Sequence, residues 1–546
     1  MIRKIFERVV KVFWLLPAFL LWASFPPMGE QTDCLFALAP LMWLTRRGTV
    51  KANVKTWFAN GFLFWLMTLA WMPAIVKNGG PWPLVVLGWG CLAAYCAIFF
   101  AAYGWVAAGM WRVVRERAYM WRLVAILLGE PILFAGFELM RARLFGGFAW
   151  NQLGVVVANT SFSAPAVLGG VYLLTMVIVL INGTFASIAE RVMPRVGIVS
   201  QAGVPRWARS VETFLPVVVI LGIYWMGARS VVRERQQSER QLKVALVQRN
   251  FPCVFKEKEE SPFEVYSNLF SRSHIELLRP ELVVLSESAM CEVGRLDRLG
   301  AQRFASWVRG ETGARGVLAG GTRAEDDAVY NSVGLYGPTN EVAFYDKVHL
   351  VPFGEFIPGD KVFPILQKLA PVGSCTPGEL KVLDFEGIKI GAAICYEDTD
   401  SAQMRRLAKM GAQVLVFVTN DSWFSQSDET EQHAWQAVAR AIETGLPIVR
   451  VGNSGVTGTI LSDGTTYWLV DEDDWPLVDA QGTMVDRVRI AAPIEERARL
   501  TPYVRVGDTP LCAAFLVCLA SLILVHFKSL PKVRKQKIIL INNSEG

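Results

Sequence analysis

Eight apolar runs, near residues 8–26, 34–46, 56–76, 82–110, 121–140, 165–188, 213–229 and 509–527, constrain this chain more than any other feature. Most can cross ~30 Å of hydrocarbon as a helix, and within lipid only helices and closed barrels satisfy every backbone polar group. The run 34–46 is short enough to be re-entrant or interfacial instead. Composition agrees: 52% of residues are hydrophobic against 19% charged, and 19 Trp with 31 Phe suit a lipid-facing chain with interfacial aromatics. The net charge of +6 does not signal nucleic acid, because the basic residues sit in short clusters beside apolar runs and form no single basic face.

Lys and Arg accumulate on the cytoplasmic side of membrane proteins, so the loops set an orientation. Arg3, Lys4, Arg8 and Lys11 open the first run; Arg46, Arg47, Lys51 and Lys55 follow the second; Arg112, Arg115, Arg117 and Arg122 follow the fourth. Arg191, Arg195, Arg206 and Arg209 follow the sixth, and Lys528, Lys532, Arg534, Lys535 and Lys537 the eighth. The loop 27–33 has Glu30 and Asp33 without a basic residue, and 77–83 has only Lys77. Both termini are therefore expected in the cytoplasm and residues 233–507 outside it, with Arg141 and Arg143 as votes against. The basic, apolar start also fits a cleaved signal peptide, but no clear small-residue cleavage site follows. The expected division is a membrane domain over 1–232 with about seven transmembrane helices, a soluble domain over 233–507, and a final helix with a basic cytoplasmic tail over 508–546.

After the charged run 233–240 the texture changes. KVALVQ (243–248), LVVLSE (282–287), GVLAGG (316–321), IKIGAAIC (388–395) and VLVFVTN (414–420) read as strands covered on both faces, and 262–278, 297–312, 400–411 and 430–445 read as helices between them. VLDFEGIKIG adds a hairpin turning at Glu386 and Gly387. The fold class is a polytopic helical membrane domain joined to a layered α/β domain.

The chain has nine cysteines and four histidines, without a CxxC or a Cys/His pattern at metal spacing, so no metal or cofactor is expected. Cys34, Cys91, Cys96, Cys512 and Cys518 lie in or beside apolar runs as small hydrophobes, which leaves Cys253, Cys291, Cys375 and Cys395. Cys395 ends a strand and is followed by Tyr396, Glu397 and Asp398, a junction that exposes a nucleophile at a sheet edge beside backbone N–H groups. A thiol with pKa about 8.5 needs a base, and Glu287 closes LVVLSE at the same edge if the strands are parallel. Lys347, in YDKVHLVPFGE, supplies a fixed positive charge, and Glu355 either orients it or assists proton transfer.

Together SESA around Glu287, YDKVHLVPFGEFIP around Lys347 and GAAICYED around Cys395 resemble the nitrilase, or carbon-nitrogen hydrolase, superfamily, which uses a Glu, Lys, Cys triad on an αββα sandwich. KxHLVPFGE, TNDSWF (419–424), FAWNQLG (148–154), EQHAWQAVARAIETGLPIVR (431–450) and NSG (453–455) resemble its membrane-embedded branch, the apolipoprotein N-acyltransferases. The resemblance implies a bacterial inner-membrane enzyme with its catalytic domain in the periplasm, moving an acyl chain from a phospholipid through a cysteine thioester to a lipid-modified apolipoprotein. Tyr396 and Glu397 would support the site, and Trp423 and Phe424, with the apolar loop 356–373, either meet substrate or bilayer or pack on the domain core. The family's Trp after its first nitrilase strand is missing, with Phe255 in its place, and the acidic stretch 467–486 matches no family feature. Two other readings stay open. One is a membrane-tethered amidase. The other is a non-catalytic scaffold or transporter, for which Glu130 and Glu138 within an apolar run are the only intramembrane charges to offer. A disulfide between Cys375 and Cys395 would end the nucleophile reading. Nothing in the sequence speaks to oligomeric state.

Overall fold

The computed structural model describes residues 14–192, 206–235, 240–252, 261–291, 293–339, 341–357, 374–495 and 500–529. Among the described residues, five helices are long and apolar enough to cross a membrane: α1 (Val50–Asn78), α2 (Trp82–Val114), α3 (Tyr119–Arg141), α4 (Ala166–Val192) and α5 (Ser210–Val231). They coincide with five of the expected runs, and a shorter apolar helix, Thr509–Val525, with the last. The first run is described only from Trp14 onward and contributes the helix Leu16–Ala23. The basic clusters at 3–11 and 532–537, with Arg195, lie outside the described residues.

The run 34–46 is not one span. It divides into Cys34–Ala37 and Ala39–Thr45, because Pro40 lacks an N–H and its ring would meet the carbonyl of Phe36. Asn182 on α4 closes the break: its Oδ1 accepts from the N–H groups of Leu38 and Ala39 at 2.8 and 2.9 Å, and its Nδ2 donates to the Cys34 carbonyl at 2.9 Å. The intramembrane carboxylates are partnered internally. Glu130 receives Arg46 Nη2 at 2.6 Å and Trp111 Nε1 at 2.8 Å. Glu138 receives the Leu153 N–H and the Thr175 hydroxyl, both at 2.7 Å. Such closed pairs hold helices together, the structural role open to a buried intramembrane charge.

Between α5 and the last helix lies the α/β domain. Its strands are β1 (Gln241–Gln248), β2 (Leu282–Leu285), β3 (Gly316–Glu325), β4 (Ala328–Tyr336), β5 (Val342–Asp346), β6 (Leu383–Phe385), β7 (Ile388–Ile394), β8 (Val414–Asn420), β9 (Ile448–Asn453), β10 (Gly458–Ile460), β11 (Thr466–Trp468) and β12 (Gly482–Arg489). They form two six-stranded sheets, in the orders β12-β1-β2-β3-β4-β5 and β11-β10-β9-β8-β7-β6. Strands β1, β2 and β3 are mutually parallel, as are β7, β8 and β9. Leu246, Val284 and Leu318 of the first sheet pack against Ile390, Val416 and Val449 of the second, an apolar layer that both sheets bury. The β6–β7 hairpin turns at Glu386 and Gly387 with φ of 51° and 82°, as its two-residue turn requires.

Helices cover both outer faces. On the first sheet, α6 (Pro262–Ser273) and α7 (Leu299–Thr312) bring Tyr266, Phe270, Phe304 and Val308 onto Val283 and Val317. The expected helix 262–278 is interrupted at His274, which takes φ 48°. On the second sheet, α8 (Ser401–Lys409) and α9 (Glu429–Thr444) bring Leu407, Val438 and Ile442 onto Leu415 and Phe417, and that core continues into Trp150, Val171 and Leu174. The αββα sandwich therefore sits on the membrane region through its second helical layer. The chain closes with α10 (Thr509–Ser529), whose Phe515 packs on Phe137 of α3 with ring centroids 5.1 Å apart.

Candidate active site

Strand β7 is buried to its end, and the chain turns sharply as it emerges: Cys395 adopts φ 51° and opens a short helical turn, Cys395–Thr399. A left-handed φ at a non-glycine residue costs on the order of 1–3 kcal/mol and persists where surrounding bonds over-determine it. Glu397 provides these bonds. Its carboxylate accepts the N–H groups of Val348 (2.7 Å), His349 (3.0 Å) and Ile394 (2.9 Å) and the Tyr345 hydroxyl at 2.9 Å. One buried carboxylate thus ties the cysteine turn to the segment after Lys347 and holds the two sheets in register at this edge.

Glu287 lies two residues beyond β2 and Lys347 one beyond β5, at the same edge. Gly320 of β3 packs so closely that a Cβ there would come within 2.6 Å of the Glu287 Cα. Lys347, 1% exposed, places its Nζ 2.9 Å from Glu355 Oε1 and 4.0 Å from Glu287 Oε1. Asn331 of β4 donates through Nδ2 to Glu287 at 2.7 Å and to Glu355 at 2.6 Å, and Glu355 also accepts the Val351 N–H at 2.8 Å.

The charges follow from burial and proximity. Burial pushes the Glu287 carboxyl above its usual range, Lys347 opposing and Glu355 adding to the rise. Burial also pushes the Cys395 thiol well up, reinforced by Glu287 and opposed by Lys347. Burial works against the Lys347 ammonium, but Glu355, Cys395 and Glu287 outweigh it and hold the charge. The resting site is therefore a neutral thiol beside a poised carboxylate and a permanent cation, the combination needed to make a thiolate only when a substrate uses it. Cys375 and Cys395 are both free thiols, so the disulfide does not form.

Tyr396 turns away from the thiol into the membrane region. Its ring stacks near Phe148 and Trp150, with centroids 6.2 and 6.4 Å away, and its hydroxyl accepts the Ala149 N–H at 3.0 Å. Arg141 fixes that loop by donating to the carbonyls of Phe148 (2.6 Å) and Trp150 (2.9 Å). Trp423 is 43% exposed, and its carbonyl accepts from Asn78 Nδ2 at 2.8 Å; Phe424 meets Trp71 edge-on at 4.8 Å. Both therefore lie where the sandwich meets α1. Cys253, Phe255 and nearly all of 356–373 lie outside the described residues.

Three features escape the sequence reading. Asn331 is one. The second is Gln432 on α9, whose Oε1 accepts from Trp71 (3.3 Å), Trp150 (3.0 Å) and Asn151 (3.0 Å) while its Nε2 donates to Pro26 (3.1 Å) and Thr68 (3.3 Å). The third is a buried ionic cluster around His433. Ligand atoms of Asp421, Glu429 and His433 lie within 4.8 Å of one another, a grouping that sequence spacing did not suggest. It does not fit a metal: both imidazole nitrogens are engaged by carboxylates, and Arg450 supplies positive charge 3.5 Å from Asp421. Only QH within EQHAWQ hinted at either residue, and polar residues on a helix ordinarily mark a solvated face.

Residues 17–184 match the family model described as the apolipoprotein N-acyltransferase N-terminal domain, and residues 302–475 that of the carbon-nitrogen hydrolases. The chain is 30% identical over 465 residues to the apolipoprotein N-acyltransferase of Geobacter metallireducens, covering 82% of this chain and 85% of the relative. It is 27% identical over 525 residues to that of Photobacterium profundum, covering 93% of each. Among solved structures it is similar to an amidase from Nesterenkonia sp., at 18% identity and a TM-score of 0.34 over 50% of this chain and 94% of that one.

Proposed function

The chain belongs to the apolipoprotein N-acyltransferase family of bacterial multi-pass membrane proteins, and from that premise we propose that it carries a phospholipid acyl chain on Cys395 to the amino terminus of a diacylglyceryl-modified lipoprotein. Glu287 takes the thiol proton and the thiolate attacks an ester carbonyl of the phospholipid. Lys347 and the Tyr396 N–H hold the oxyanion, the carbon–oxygen bond breaks, and Glu287 returns the proton to the departing lysophospholipid. The thioester then meets the lipoprotein amine; Glu287 accepts the amine proton, the amide forms, and the proton goes back to the Cys395 sulfur. Double displacement of this kind gives ping-pong kinetics. Glu355 orients Lys347, Glu397 positions the cysteine turn, and Trp423 and Phe424 border the lipid approach. No metal or soluble cofactor takes part.

The observation that carries this reading is the contact of Phe148 and Trp150 with Tyr396, the residue next to the thiol. A loop of the membrane region abuts the nucleophile turn, which suits two lipid-anchored substrates that would not leave the bilayer for a soluble enzyme. The loop charges favour an orientation with both termini in the cytoplasm and the sandwich in the periplasm. The test is to incubate membranes with acyl-labelled phospholipid and read a hydroxylamine-sensitive label on the protein. Wild type should acquire it and pass it to a diacylglyceryl peptide, and Cys395→Ala should acquire none. A label retained in Cys395→Ala, or one lost only as free fatty acid when the peptide is present, defeats the proposal.

A further inference from the structure

Cys395 is fastened on two sides. Glu397 ties its turn to the Lys347 segment; the next residue, Asp398, ties it to α9. Asp398 Oδ1 lies 3.1 Å from His433 Nε2, and its Oδ2 accepts from Arg450 of β9. His433 Nδ1 lies 3.1 Å from Asp421 Oδ1, with Glu429 Oε1 3.5 Å away. All five side chains are buried. Asp421 follows β8, the strand beside β7, and the register Ile394↔Val418 brings it out at the edge where Cys395 emerges.

An imidazole whose two nitrogens both face carboxylate oxygens donates from both, which makes it an imidazolium. The cluster then balances: His433 and Arg450 against Asp398 and Asp421. Glu429 keeps its proton, because burial and the Asp421 charge push its carboxyl well above the usual range. Burial and Arg450 oppose the His433 charge, yet Asp398 and Asp421 hold its pKa up to about 10. The charged groups about Cys395 are Glu287, Lys347, Glu355 and Asp421, with His349 against the neighbouring Tyr396. Of these, Asp421 alone belongs also to the cluster.

Resting on the assignment of Cys395 as nucleophile, we propose that His433 is a positioning residue for it, locked as an imidazolium between Asp398 and Asp421 so that it both holds the cysteine turn and cancels the Asp421 charge behind the thiol. Arg450 cannot do this alone: it contacts the same two carboxylates, but two negative charges then face one positive. Trp150 lies against the His433 ring, centroids 5.3 Å apart, so the clamp is also touched by the membrane loop that stacks on Tyr396.

The charge role separates from a purely structural one through the pH profile of the thiol. In the full-length protein, Cys395 is alkylated with iodoacetamide across a pH series and read at the peptide level by mass spectrometry. His433→Gln keeps a similar shape and loses the charge, so the midpoint should rise by about one pH unit, the scale of one unbalanced neighbouring charge. Adding Asp421→Asn restores the balance and should bring the midpoint back. A slower reaction with an unmoved midpoint overturns the proposal. If His433→Gln does not fold, Asp421→Asn combined with Glu429→Gln, which keeps the neighbouring carboxyl from ionising once the Asp421 charge is gone, decides alone: its midpoint should fall below wild type, and an unchanged one overturns the proposal. Label retained in Cys395→Ala would defeat the nucleophile assignment; label lost there with no midpoint shift in His433→Gln defeats only the clamp.

Discussion

In α7, which covers the first sheet, five of 14 residues are buried, whereas in α9, which covers the second, 14 of 16 are. The two helices hold equivalent places in the sandwich. The buried residues of α7 form one stripe, Ala301, Phe304, Ala305, Val308 and Thr312, flanked by the half-buried Trp307, and the opposite side is exposed. Apart from the exposed Glu431, the polar residues of α9 are buried too, and five of them reach other parts of the molecule: Gln432 and Gln436 the membrane region, His433 and Arg440 the cysteine turn, Glu443 the kink of α4. A polar helix face therefore has two physical meanings here, solvation on one side of the sandwich and an interdomain contact on the other.

The sharpest way to break the comparison is to strand a charge on α9. Glu443 accepts the Val171 N–H at 2.8 Å beside Gly170, whose φ is 66°, and pairs with Arg440 at 3.1 Å. Glu443→Ala leaves the Arg440 guanidinium buried without its counter-charge, a loss of about 3–5 kcal/mol. Thermal unfolding in detergent should reveal it, with folded yield falling in step. An unchanged melting temperature would mean that α9 does not carry the interface. Gln432→Ala should cost less, about 1–3 kcal/mol, because it leaves donors of Trp71, Trp150 and Asn151 unmet but no charge. Thioester formation at saturating lipid should slow with it. On α7, Gln302→Ala should stay within about 0.5 kcal/mol of wild type.

These contrasts mark where the sequence was readable. Strands β2, β7 and β8 are rich in Val, Leu, Ile and Ala, so they announce buried strands, and the residues just past β2 and β7, Glu287 and Cys395, are thereby expected at a sheet edge. Lys347 needs its motif, because β5 is a short outer strand buried only at its last two residues, Tyr345 and Asp346. Strand β4 begins half-exposed and ends buried, with no alternation to read, and Asn331 becomes important only because pairing with β3 and β5 lays it between Glu287 and Glu355. The run 34–46 was apolar enough to look like a span, and Pro40 was the local signal that it breaks. The polar side of α9 was illegible for a different reason: nothing local distinguishes a Gln that meets water from one that meets Trp150.

The difference extends to protonation. Asn331 donates to Glu287, which favours the charged carboxylate and restrains the rise that burial imposes. Asn331→Ala removes that restraint, so the folded pKa of Glu287 should climb further. As the proposed base, Glu287 acts unprotonated, so on that reading thioester formation rises as pH passes that pKa, and the acid limb of the rate profile should move to higher pH by up to about one unit. An acid limb that moves down, or stays, would show that Glu287 is not the group that titrates.

A small gain is expected on the solvated side. Gly310 lies in α7, exposed, and a Cβ built there meets no atom within 4 Å. Alanine loses less backbone freedom on folding than glycine, so Gly310→Ala should stabilise the protein by about 0.5–1 kcal/mol without changing thioester formation. Enlarging a small residue on α9 should do the reverse. Ala439, on the same face as Gln436 and Glu443, is fully buried, and Ala439→Leu forces extra methylenes into a packed seam at a cost of about 1–3 kcal/mol. The gain needs the open space beside Gly310 and the loss the packed neighbours of α9. If both substitutions stabilised, the outer face of α9 would have to meet water, and the membrane region could not be seated on it.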